Sequence, residues 1–126
     1  MDHDILKPEN LRTLAKKINA TDQLDKVHAV FGFGIEGEIL ASSIGFLYKK
    51  PNLSKEIILR NKINVFPEEI RLLVVANAID EPEALYDTIK QFRKKGIKIE
   101  KIAATAIVAP EIEDELRILG VGLVMV

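Results

Sequence analysis

The chain has 126 residues, 48% of them hydrophobic and 29% charged, with a formal net charge of −1 and no cysteine. That length suits one domain with a sizeable core, and the near-neutral charge gives no electrostatic reason to bind nucleic acid or an anionic membrane non-specifically. Without cysteine, disulfides, zinc–thiolate sites and thiol nucleophiles are excluded, and no apolar run approaches the roughly 20 residues of a membrane-spanning helix.

The acidic start Met1-Asp2-His3-Asp4 is unlike the basic n-region of a signal peptide, so the expected location is cytoplasmic. Abundant Ile, Lys and Glu with few Gln lean toward a thermophilic source. In chain order, Pro8 suits a first helical turn, and Leu11, Leu14, Ala15 and Ile18 follow at helical spacing. A polar stretch over 19–25 ends that helix. Residues 27–31 form a short apolar run predicted as a strand, and Gly32 to Gly37 turn the chain. Ile39, Leu40, Ser43, Ile44 and Leu47 then mark a helix that Lys49-Lys50-Pro51 stops.

Residues 56–60 (EIILR) and 72–79 (LLVVANAI) are predicted as further strands. In the helix that follows, Asp80 and Glu83 have the spacing of a capping box, Leu85, Ile89 and Phe92 line one face, and Gly96 stops it after three basic residues. Residues 102–109 predict a fourth strand, 111–119 a short helix closed by Gly120, and 121–126 a fifth strand. The strands are continuous apolar runs, which means burial on both faces and hence parallel pairing. The predicted fold class is α/β: a three-layer, mostly parallel five-stranded sheet with helices on both faces. Residues 1–24 read as an N-terminal helical segment and 25–126 as one core domain.

The sequence Gly32-Phe33-Gly34-Ile35-Glu36-Gly37 fits G-x-G-x-x-G between a strand and a helix, the pattern that lets a backbone approach a dinucleotide pyrophosphate. That reading also needs an acidic residue closing the next strand, where Arg60 and Asn61 stand. A plain glycine turn explains the pattern better. A metal-dependent nuclease site of the Glu-x-Lys kind is excluded, because the chain contains neither Asp-x-Lys nor Glu-x-Lys.

From about Asp25 to the end, the order of elements resembles the type I phosphoribosyltransferases, especially the orotate branch. Residues 24–35 match the family's strand and pyrophosphate loop, and Ile57 to Lys62 its strand running into a basic segment. Leu72-Leu73-Val74-Val75, then Ala78-Ile79 and Leu85, follow the apolar frame of the family's signature. The resemblance implies a phosphoribosyltransferase core with its ligand crevice at the strand C-terminal ends. Phe31, Gly32, Phe33, Gly34, Ala76, Asn77, Asp80, Glu81 and Glu83 would line it, with Arg60 and Lys62 nearby. It also implies a homodimer, and a nucleotide or phosphoribosyl ligand if any ligand is bound.

At the two positions where the family carries acids for the ribose hydroxyls, this chain has Ala76 and Asn77. Alanine accepts no hydrogen bond and asparagine accepts with a neutral oxygen, a loss of about 1–3 kcal/mol per contact. Where the family has a Thr/Gly-rich phosphate loop, this chain reads Asp80-Glu81-Pro82-Glu83-Ala84. Pro82 deletes a backbone donor. Each carboxylate at about 5 Å would repel a unit of negative charge by roughly 3 kcal/mol, against about 0.3–1 kcal/mol of attraction from the helix dipole. The sequence also offers little for a mobile catalytic loop or a hood. The expectation is therefore a phosphoribosyltransferase-like protein without catalytic residues or a metal site, acting as a ligand-sensing or interaction module. Mg²⁺ enters only if activity remains, as in a divergent transferase of nucleotide metabolism; a dinucleotide or nucleotide binder using Gly32 to Gly37 is the second alternative. His28 is expected to be a core or edge histidine, and Arg93-Lys94-Lys95 a solvated helix end.

Overall fold

Four apolar runs pair side by side into one parallel sheet in the computed structural model, which describes residues 7–60 and 69–126. The strands are β1 (Ala29–Gly32), β2 (Arg71–Ile79), β3 (Lys98–Ile107) and β4 (Gly122–Met125), and their order in the sheet is their order in the chain. β1 pairs with β2 from Ala29↔Leu72 to Gly32↔Val75, and β3 with β4 from Lys101↔Gly122 to Ala104↔Met125. The β2–β3 register shifts between Leu72 and Leu73, which pair with Ile99 and Lys101.

Burial on both faces follows from the alternation of side chains along β2. Leu73 and Val75 face a core shared with Leu14, Ala15 and Ile18 of α1 (Pro8–Ala20) and Leu40, Ala41 and Ile44 of α2 (Gly34–Tyr48). Leu72, Val74 and Ala76 face the opposite core. It is built with Leu85, Ile89 and Phe92 of α4 (Pro82–Lys94) and Ile112 and Leu116 of α5 (Glu111–Ile118). Phe31 meets Phe92 edge to face, ring centroids 5.0 Å apart, a favoured geometry for an aromatic pair. The result is the expected three-layer α/β arrangement.

Two sequence expectations are corrected. Residues 56–60 do not form a strand, so the sheet has four strands among the described residues and not five. They lie instead in and just after the short helix α3 (Lys55–Leu59). Ser54 caps it by accepting a hydrogen bond from the Ile57 amide at 3.2 Å, and Arg60 reaches back to Glu56 across one turn. Burial there is helical, with Ile58 fully buried and Ile57 exposed.

The capping box at α4 does not form either. Glu81, not Asp80, is the N-cap residue, no side chain caps the helix, and Pro82 takes its first position. Proline's fixed φ suits that position, and its missing N–H is one that no helical carbonyl would have taken. At the far end of β1, His28 is a structural residue as expected. Its Nδ1 accepts from the Arg71 amide at 3.0 Å and its amide donates to the Arg71 carbonyl at 2.9 Å, tying the start of β1 to β2.

Candidate functional site

At the carboxyl ends of β1 and β2 the chain leaves the sheet in two loops, one into α2 and one into α4. The cleft between these helix starts has a volume of about 670 Å³. In an open α/β sheet this is where ligands bind.

The first loop is shaped by contact between α2 and the sheet. A Cβ on Gly32 would lie 2.3 Å from the Gly37 carbonyl oxygen, and one on Gly37 would lie 2.7 Å from that of Val75. Both glycines are therefore required for α2 to rest on the strands, whether or not a ligand is present. Gly34 differs: its φ is +76° and the space around it is open, so it serves the turn itself. The Phe33 amide donates to the Val75 carbonyl at 2.9 Å, which fixes the loop to β2.

Near the end of β2, before the second loop begins, Asn77 is buried to 6% exposure. Its Nδ2 donates to Glu36 Oε2 at 2.8 Å, so β2 and the first turn of α2 are joined across the floor of the cleft. The Thr105 hydroxyl lies within hydrogen-bonding distance of both the Asn77 carbonyl, at 2.7 Å, and its Oδ1. Both ends of the Asn77 amide are thus engaged inside the protein.

Around this floor the charges are one-sided. Glu36, Glu38, Asp80, Glu81 and Asp87 line the cleft, and among the described residues Lys55 is the only lining cation. Such a cleft attracts cations and repels anions. At the turn into α4 main-chain donors are also few. Pro82 has no N–H and the Leu85 amide bonds the Glu81 carbonyl at 3.3 Å, which leaves the amides of Glu83 and Ala84 from the first turn of α4. Among the described residues no group of His, Asp and Glu is arranged to hold a metal ion.

Of the candidates from sequence, Phe31, Gly32, Phe33, Gly34, Asn77, Asp80 and Glu81 come together here. Ala76 lies beneath the floor in the core, and Glu83 stands in the first turn of α4 without lining the cleft. Arg60 is at the end of α3, exposed and 3.9 Å from Glu56, and it does not line the cleft. Lys62 lies outside the described residues. Sequence reasoning missed Glu36, Glu38, Lys55 and the α4 face formed by Ala84, Asp87, Thr88 and Gln91. The α4 residues recur at helical spacing from the loop already identified, and that signal was available.

The chain matches no protein-family profile and no curated protein. Solved structures do match it. Orotate phosphoribosyltransferase from Aeropyrum pernix superposes with a TM-score of 0.72 and 19% identity, over 95% of this chain and 69% of that one. UMP synthase from Leishmania donovani gives 0.74 and 14%, over 94% and 27%. The fold is phosphoribosyltransferase-like. Adenine phosphoribosyl transferase from Trypanosoma brucei, solved with AMP, pyrophosphate and ribose-5-phosphate, shares this phosphoribosyltransferase-like fold with a TM-score of 0.72 and 13% identity, over 95% and 64%. The present chain thus spans about a quarter of the UMP synthase and about two thirds of the two transferases. Among the described residues no helix is long and apolar enough to cross a membrane.

Proposed function

We propose that this chain is a phosphoribosyltransferase-like protein that does not transfer phosphoribose and acts as a ligand-sensing or interaction module, working as a homodimer. The observation that carries this reading is the state of Asn77. It occupies a position that the sequence resemblance assigns to a ribose-binding acid, and its amide is committed to Glu36 and Thr105. A ribose hydroxyl arriving there would have to displace bonds the protein already makes, and it would gain no charged acceptor from the asparagine itself. The carboxylates around the cleft add to this, since a pyrophosphate group would enter a field of its own sign.

The ligand class this cleft favours is neutral or cationic. Isothermal titration with phosphoribosyl pyrophosphate and Mg²⁺ tests the reading. The expected result is no saturable heat up to about millimolar ligand; Mg²⁺-dependent binding in the micromolar range would instead mark a divergent active transferase.

A further inference from the structure

The net charge of −1 is unevenly spread over the fold. In a parallel sheet each helix brings the chain back to the amino ends of the strands, so α2, α4 and α5 all end at the pole opposite the cleft. Gly96 and Gly120 turn the chain there at φ +77° and +80°. Lys50 holds the end of α2 at the same level, its Nζ donating to the Val27 carbonyl at 3.0 Å just before β1. While the cleft gathers Glu36, Glu38, Asp80, Glu81 and Asp87, this pole gathers cations.

Arg93, Lys94 and Lys95 follow one another at the end of α4, all exposed, and none has a carboxylate partner among the described residues. The helix dipole accounts for about half a unit of this charge and leaves the rest without a counter-charge. A Cβ on Gly120 would lie 3.4 Å from Arg93 Nη2, so the cations reach the end of α5. Lys98 follows, paired with Glu100 at 3.6 Å, and exposed Lys49 closes α2. The pole's exposed acids, Asp22, Asp25 and Glu69, precede β1 and β2 and do not follow α4 or α5.

Large apolar side chains stand among these charges. Phe46, in the last turn of α2, is 87% exposed and its neighbour Leu47 39%, and Ile118, the last residue of α5, is 77% exposed. A nucleic acid would use the cations but not the isoleucine, and the aromatic residues of α4, Tyr86 and Phe92, are buried and cannot stack on a base. An anionic bilayer uses both kinds of side chain: its headgroups take the cations and its acyl boundary takes the apolar groups.

We infer that this pole docks the chain on an anionic lipid surface. Phe46 and Ile118 enter the boundary between headgroups and acyl chains from helices on opposite faces of the sheet, and Lys49, Arg93, Lys94 and Lys95 lie against the headgroups. The acidic cleft, which such a surface repels, then faces away from it and stays open to solvent. This goes beyond the reading of the cleft and does not depend on it.

Co-sedimentation of the full chain with lipid vesicles tests it. At about 50 mM salt the chain is expected to bind phosphatidylcholine vesicles containing roughly 30% phosphatidylserine, to ignore phosphatidylcholine alone, and to be released at about 500 mM salt. Lys94→Glu combined with Lys95→Glu should lower vesicle affinity more than about tenfold, and Phe46→Ser and Ile118→Ser about fivefold each, with circular dichroism unchanged in all three. No binding to the anionic vesicles would overturn the docking. Binding that survives the charge exchange, or both apolar exchanges, would overturn this pole as its site. A nucleic-acid duplex of about 20 base pairs replaces the vesicles in a second arm. Binding to the duplex alone, lost in the charge variant and kept in both apolar variants, would assign the pole to a phosphate backbone and overturn docking on lipid.

Discussion

Asn77 on β2 and Glu36 on α2 are joined by a hydrogen bond of 2.8 Å across the floor of the cleft, although they stand 41 residues apart in the chain. A neutral amide is needed for this, because Nδ2 donates while the carboxylate accepts. The Asn77→Asp exchange keeps the shape and the acceptor for Thr105 but turns the donor into a second carboxylate. At about pH 4 the introduced carboxyl, still protonated, can donate to Glu36, and stability should stay near wild type. As pH rises, Glu36 and burial hold the new carboxyl's folded pKa above its unfolded value, so stability present at low pH is lost. Thermal unfolding of Asn77→Asp at about pH 7.5 should show a loss of about 1–3 kcal/mol, absent in acid.

The contact between α2 and the sheet leaves no room for a methyl group at Gly32, where the obstacle is backbone. Gly32→Ala should cost about 3 kcal/mol and lower the melting temperature by roughly 10 °C, as followed by circular dichroism. Gly34→Ala meets no neighbour and loses only what its left-handed conformation costs, about 1–2 kcal/mol. Equal losses at the two positions would contradict this division of roles.

Burial pushes the Tyr86 hydroxyl above its usual pKa of 10.0, and the charges of Glu115 and Glu83 push it the same way. The folded state therefore favours neutral tyrosine more than the unfolded chain does. Tyr86 contributes stability that is present below pH 10 and declines as pH climbs past it. Melting temperatures measured between about pH 8 and pH 11 should fall in wild type, and less steeply in Tyr86→Phe.

Much of this architecture was legible from local pattern. The run over 72–79, apolar but for Asn77, announced a strand buried on both faces, and Pro8, Lys49 and Gly120 marked the ends of helices where the structure places them. The segment 56–60 was misread because five residues rich in isoleucine and leucine suit a strand or a helix equally by composition. What decides between them is the Ser54 hydroxyl on the Ile57 amide, a contact that composition does not encode. At the cleft, the glycine loop and the acidic turn were visible as sequence neighbours. The Asn77–Glu36 bond was not, because it depends on how α2 settles on β2, and that is set by Gly32 and Gly37 meeting carbonyl oxygens. The Asp80–Glu83 capping box failed for a local reason: with Pro82 at the first helical position, the helix starts one residue later than that spacing assumed.

The central claim is that the turn into α4 no longer holds an anion, and the amides of Glu83 and Ala84 report on it directly. Titration with magnesium pyrophosphate, followed by ¹H–¹⁵N correlation spectra, should leave both amide signals in place up to about millimolar ligand. Saturable shifts centred on those two amides, with an affinity in the micromolar range, would contradict the account.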